Sequence, residues 1–140
     1  MADGLTLEIA MPTRLVVSEH VDEVVAPGIE GYFGVLPGHA PFLTTLGVGV
    51  LTYRIGREEV RLALAGGFCE VRRDKVIVLA DSTERPDEVD RGRAERARER
   101  AERRLGGRPS SEGPEEIDYE RAVRALARAR TRLEVATAPR

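Results

Sequence analysis

Three side chains in this sequence are of the kind that performs covalent or metal chemistry: Cys69, His20 and His39. A cysteine beside a histidine base can become a thiolate nucleophile, and a histidine among thiolates or carboxylates can hold zinc. Cys69 lies inside GGFCEV, a strand-like run that suits a small, half-buried residue. Neither histidine has a cysteine near it in sequence, so the two make a weak metal signal. No GxxxxGK[ST] phosphate loop, GxSxG elbow, HExxH or CxxC is present. These residues argue against an enzyme. His39 stands in GYFGVLPGHAPFL, where Pro37, Gly38 and Pro41 make a stiff turn between apolar runs. Two readings of it stand: a turn whose imidazole satisfies nearby backbone groups, or a loop that docks a partner.

Arginine is the other chemical signal. Arg93, Arg96, Arg100 and Arg103 follow one another at helical spacing, as do Arg121, Arg124, Arg128 and Arg132. Like charges at i, i+4 cost a helix roughly a few tenths of a kcal/mol each. Glu95 before Arg98 and Glu99 before Arg103 relieve part of that repulsion, as a solvated, salt-bridged surface would. Arg128 and Arg132 have no such acid in their own helix, so an external anion or acidic partner would suit them. Nucleic acid is disfavoured as that partner. Residues 86–140 carry 14 basic and 12 acidic side chains, and they lack a run of aromatic stacking residues.

The elements that position these residues change period near Asp81. Before it the period is two: Leu5, Leu7, Ile9 and Met11 alternate with Thr6, Glu8 and Ala10, and the pattern recurs in LTYRI, EVRLALA and KVIVLAD. Turn signals at Pro12-Thr13, Pro27-Gly28, Pro37-Gly38, Gly56-Arg57, Gly66-Gly67 and Arg73-Asp74 separate roughly eight or nine short strands. The gaps are too short for crossover helices, which predicts an antiparallel β-sandwich or barrel over residues 1–85. After it the period is helical. One helix is expected from Pro86 to Leu105, with Val89, Ala97, Ala101 and Leu105 on one stripe. A second is expected to open on Glu115, Glu116 and Asp118, with Ala122, Ala125, Leu126, Ala129, Leu133 and Ala136 as its stripe. Such small stripes predict an antiparallel two-helix hairpin over residues 86–140, held by a seam of little area. With a single cysteine, no apolar run of bilayer length and no secretory leader at the N-terminus, a soluble chain in a reducing compartment is expected.

The segments VDEVVAPGIEGYFGVLPGHAPFLTTLGVGVL, LAGGFCEVRRDKVIVLAD and IDYERAVRALARARTRLEVA, in this order and at these separations, resemble the epsilon subunit of the bacterial F-type ATP synthase. The likeness runs from about Leu5 to Ala136. It implies a flattened antiparallel β-sandwich followed by a C-terminal helical hairpin, and a non-catalytic part of a central rotor stalk. Its partners would be the gamma subunit, the c-ring and the alpha and beta subunits. The chain would then be peripheral to the cytoplasmic face of the inner membrane, with no transmembrane segment of its own. By the same resemblance the sandwich would dock gamma and the c-ring, with Glu30, Tyr32 and His39 as its polar edge, although Tyr32 departs from the acid often found there. The hairpin would restrain ATP hydrolysis. No cofactor is implied beyond ATP as a regulatory ligand, which some members bind through an Ile/Leu-Asp-x-x-Arg-Ala motif. Here Val89-Asp90-Arg91-Gly92-Arg93-Ala94 stands in that place, so Glu84, Asp90, Arg93, Ala94, Arg128 and Arg132 are the implied contacts. Gly92 is a departure that costs a helix interior up to about 1 kcal/mol. A different reading of the same elements is a free-standing β-sandwich interaction module with a partner-binding hairpin.

Overall fold

The computed structural model describes residues 4–106 and 118–137. Eight strands come first: β1 (Leu5–Met11), β2 (Arg14–Val21), β3 (Glu23–Gly28), β4 (Gly31–Val35), β5 (Phe42–Ile55), β6 (Glu58–Arg72), β7 (Lys75–Ala80) and β8 (Thr83–Glu84). A 3-10 turn (Pro86–Glu88) leads to α1 (Arg91–Leu105), and α2 (Tyr119–Thr137) follows. The strands lie in the order β2-β1-β7-β6-β5-β3-β4, with β8 added beside β6. The period-two alternation places its apolar members inward: Leu5, Leu7, Ile9, Val24, Val35, Leu51, Leu62, Cys69, Val76 and Val78 are all fully buried in one core. Fully burying a Val or Leu contributes roughly 1.5–3 kcal/mol, so this core dominates the stability of the fold.

The long hairpin of β5 and β6 makes the sandwich. Their register runs unbroken in sense from Phe42 opposite Val71 to Ile55 opposite Glu58. One end of this ribbon pairs with β3 through Thr52–Arg54, and the other pairs with β7 through Gly67–Arg72. The two strands thereby belong to both layers and carry the core between them. One pair departs from the antiparallel expectation: β1 and β7 run parallel, Thr6 opposite Lys75 through Ala10 opposite Leu79. Five intervening strands act as the crossover, so no helix is needed to reverse the chain.

Where β6 passes from β8 to β7, Gly66 and Gly67 have φ of 80° and 130°. A Cβ on Gly67 would run into the Leu79 carbonyl oxygen and sit 2.9 Å from the Ala80 Cα. Only glycine fits there.

The first helix starts later than the sequence suggests. Pro86 begins a single 3-10 turn, and α1 begins after Asp90, whose carboxylate accepts from the Arg93 N–H at 3.0 Å as its N-cap. Gly92 therefore lies in the first turn, where the penalty for glycine in a helix interior does not apply in full. In α2, Asp118 plays the same part, accepting from the Arg121 N–H at 3.0 Å; Glu115 and Glu116 lie outside the described residues. The turn between sandwich and helices is strapped to β2. Arg14 meets Glu88 at 2.9 Å, and the Arg85 guanidinium donates to the Val16 carbonyl at 3.0 Å. The Arg85 backbone N–H and the Arg14 guanidinium hold the Glu88 carboxyl below the usual carboxylate range. That contribution is present at neutral pH and is lost as the pH falls through the lowered value.

The hairpin packs through α2. Ala94 and Ala101 of α1 and Ala122 and Ala129 of α2 are buried in the seam between the helices. On another face of α2, Val135 is fully buried in a small cluster with Val50 of β5 and Ala63 of β6. The expected stripe of α2 is thus only one of two buried faces. Val135 and Thr131 belong to the second, because this helix has both α1 and the sheet as neighbours.

Gly67→Ala is expected to lower stability by about 2–4 kcal/mol, from positive-φ strain and backbone overlap together. Gly34→Ala, where an added Cβ meets nothing within 4 Å, should change stability by no more than ~0.5 kcal/mol. Urea unfolding of the two variants against the parent chain checks both.

Candidate functional site

Cys69 faces the core of the sandwich and is fully buried, and burial alone pushes its thiol up to about 11. A thiol so placed stays protonated and inaccessible, which is the opposite of a nucleophile's environment. His20 sits on the outer face of β2 with Nδ1 3.4 Å from the Thr6 hydroxyl. Among the described residues, no three His, Cys, Asp or Glu side chains are grouped as a metal site.

The loop after β4 is built from backbone contacts. The Gly38 N–H donates to Asp74 in the β6–β7 turn at 2.7 Å, and the His39 N–H donates to the Leu36 carbonyl at 3.1 Å. His39 Nδ1 lies 2.6 Å from the Ala40 carbonyl. A carbonyl only accepts, so this nitrogen carries the proton and Nε2 is left as an acceptor. The ring also stands edge-on to Phe42 at 5.9 Å, and Phe42 in turn to Phe33 at 5.3 Å. The imidazole therefore has the backbone-satisfying role that one reading of the sequence gave it.

Tyr32 lies across the sheet, 60% exposed, and its hydroxyl accepts the Val50 N–H at 2.9 Å. The absence of a side chain at Gly49 lets the phenol lie there; a Cβ would overlap its oxygen. Glu30 is exposed in the β3–β4 turn. Glu30 and the His39 loop flank opposite ends of β4, about 20 Å apart at the rise of an extended strand. The three residues share one strand and its two ends, not one cluster.

An unanticipated surface runs across the outer face of the sheet. Leu15 of β2 pairs with Ala10 of β1, Ala10 with Leu79 of β7, Leu79 with Phe68 of β6, and Phe68 with Thr45 of β5. Paired residues share a face, so these side chains form one row. Leu15, Leu79 and Phe68 are 60%, 55% and 55% exposed, and Leu43, two residues from Thr45 on the same face, is 68% exposed. The signal was present in the sequence: leucine and phenylalanine occupy outward positions of an alternation that elsewhere places Thr, Glu and Arg there.

The implied nucleotide contacts are distributed unevenly. Arg132 Nε meets Glu84 Oε1 at 2.5 Å. The acid is absent from the helix but supplied by β8, a tertiary contact that local spacing does not reveal. Arg128 lines the same small cavity as Glu84 and Arg132, whose volume is about 10 Å³. Asp90 is engaged as the α1 cap, Arg93 is exposed, and Ala94 is buried in the helical seam. Arg96, Arg100, Arg103, Arg121 and Arg124 are exposed, and Arg98 pairs with Glu95 at 2.9 Å.

Comparison with known proteins agrees with this geometry. The family model described as ATP synthase, Delta/Epsilon chain, beta-sandwich domain matches residues 4–86, and the one described as ATP synthase, Delta/Epsilon chain, long alpha-helix domain matches residues 87–137. The chain is 52% identical over 105 residues to the ATP synthase epsilon chain of Carboxydothermus hydrogenoformans, covering 75% of this chain and 78% of that one. It is 53% identical over 107 residues to that of Moorella thermoacetica, covering 76% and 80%. A chain of the Euglena gracilis mitochondrial ATP synthase shares the fold, with a TM-score of 0.79 at 23% identity, over 97% of this chain and 82% of that chain. A chain of the Tetrahymena thermophila mitochondrial ATP synthase central stalk and c-ring matches with a TM-score of 0.57 at 11% identity, over 96% of this chain and 94% of that chain. Sandwich and hairpin alike therefore make this chain a member of the ATP synthase delta/epsilon chain family.

Proposed function

We propose that the chain is a non-catalytic part of the central rotor stalk of a proton-translocating F-type ATP synthase, in which its sandwich (residues 1–85) docks the gamma subunit and the c-ring. The observation that carries this reading is the outward row of Leu15, Ala10, Leu79, Phe68 and Leu43. A contiguous apolar strip on a rigid sheet is costly in water and is relieved by a partner. The chain's own helices pack elsewhere, over β5 and β6 around Val50 and Ala63. Gamma is the partner assigned to this row. The edge along β4, from Glu30 past Tyr32 to the His39 loop, is assigned to the c-ring, with Nε2 of His39 as an available acceptor. Torque passes well through such a body because its core is fully packed Val, Leu and Ile. The membrane attachment is indirect: no described helix is long and apolar enough to cross a membrane, so the chain is held at the cytoplasmic face of the inner membrane by its complex.

The hairpin (residues 86–140) is assigned the regulatory part, restraint of ATP hydrolysis through contact with the alpha and beta subunits. Its exposed arginines suit an acidic surface on beta, with an attraction that weakens as salt rises. ATP is proposed as its ligand, held by Arg128 and Arg132 through phosphate oxygens, with Glu84, Asp90, Arg93 and Ala94 beside it. The residues are chemically suited, but the cavity beside Arg128 and Arg132 holds about one water and not a nucleotide. Binding must therefore break the Glu84–Arg132 pair, and it is expected to be weak.

Phe68→Lys with Leu79→Glu is expected to abolish recovery of the chain with gamma, alpha and beta, while urea unfolding of the isolated chain shifts little because both side chains are more than half exposed and the new charges pair across the strands. Unchanged co-purification would rule out the row as the docking surface. Titration calorimetry of the full chain with millimolar MgATP should show weak binding that Arg128→Ala with Arg132→Ala removes; no heat from the parent chain would dispose of the nucleotide.

A further inference from the structure

Glu84 and Arg132 are 48 residues apart in sequence, yet they form an ion pair at 2.5 Å between β8 and α2. Each is partly shielded, the glutamate side chain 25% and the arginine 35% exposed. β8 is a two-residue strand whose Glu84 pairs with Ala63 of β6, and Ala63 is itself part of the Val135 and Val50 cluster. The ion pair thus stands at the edge of the apolar contact by which α2 lies on the sheet. The apolar part of that contact is small: Val135, with Thr131 buried beside it, meets Val50 and Ala63. α1 adds little to it, because α1 packs chiefly on α2. The root of the hairpin is separately fixed by the Arg14–Glu88 and Arg85–Val16 contacts. Whatever holds α2 down must therefore act at α2 itself.

We propose that the Glu84–Arg132 ion pair is the latch that keeps the hairpin folded on the sandwich without any ligand. The inference rests on the proposed restraint of ATP hydrolysis, which needs α2 to leave the sheet to reach alpha and beta, and it deepens that reading by naming the contact that sets the ratio of folded to released states. A charge-assisted hydrogen bond in a partly shielded place shifts such a ratio by about tenfold or more. Salt loosens the latch because both groups retain contact with solvent. A polyanion that takes Arg132 competes with Glu84 and does not fill a vacant place. Once detached from the sheet, α2 keeps only its alanine seam with α1, and its amides exchange with solvent more readily.

The test is hydrogen exchange on the full chain in nucleotide-free buffer, with the amides of β6 as an internal record that the sandwich stays folded. Glu84→Gln and Arg132→Gln are each expected to speed exchange across α2 about tenfold and to leave β6 unchanged. Glu84→Arg combined with Arg132→Glu should restore slow exchange, and 0.5 M salt should speed α2 in the parent chain but not in Glu84→Gln. Fast α2 exchange that none of the variants alters overturns the latch alone. Exchange in α2 as slow as in β6 for every variant overturns the latch and the two-state hairpin together.

Discussion

α2 is shared between α1 and the sheet, and few of its large side chains are fully buried against either. Toward α1 it buries Ala122 and Ala129 against Ala94 and Ala101, with Leu126 and Leu133 half-buried; toward the sheet it buries Val135 and Thr131. Each alanine methyl removed from water is worth roughly 0.8 kcal/mol, against about 1.5–3 kcal/mol for each Val or Leu in the sandwich core. The molecule therefore contains two bodies of unequal strength, a sandwich with a continuous aliphatic interior and a hairpin resting on its side. This inequality is what the proposed function needs, a rigid part for a rotor joined to a segment able to move.

The sandwich spends its two faces differently. Inward, alternate residues of every long strand pack the core. Outward, the middle of β5 and β6 is apolar again, since Val50 and Ala63 lie under α2 while Leu51 and Leu62 face the core. Farther along the same ribbon, Phe68 and its neighbours on β7, β1 and β2 are apolar, with none of the described residues covering them. Two outward apolar regions on one sheet imply two occupants. The hairpin is one, and a stalk partner is assigned to the other.

Much of the fold was legible because periodicity reports burial. Leu5-Leu7-Ile9 and Val76-Val78-Ala80 alternate as strands with one buried face must, and Gly66-Gly67 marks the place where β6 changes partner. The parallel pairing of β1 with β7 was not legible, since strand pairing over such separation leaves no local trace. Val135 escaped the helical stripe because a stripe presumes a single buried face, whereas α2 has two. The Glu84–Arg132 pair escaped for a related reason: helix spacing reveals partners three or four residues away, and this partner arrives on another element. The outward row needed the register before Leu15, Leu79 and Phe68 could be seen as neighbours.

The central claim is that a firmly docked sandwich carries a hairpin whose release restrains the motor. The most direct measurement is the ATP hydrolysis rate of the assembled complex containing either the full chain or a chain ending at Arg85. Hydrolysis should be faster with the shortened chain, while the amounts of gamma, alpha and beta recovered with it stay the same. Equal rates with equal assembly would contradict the account.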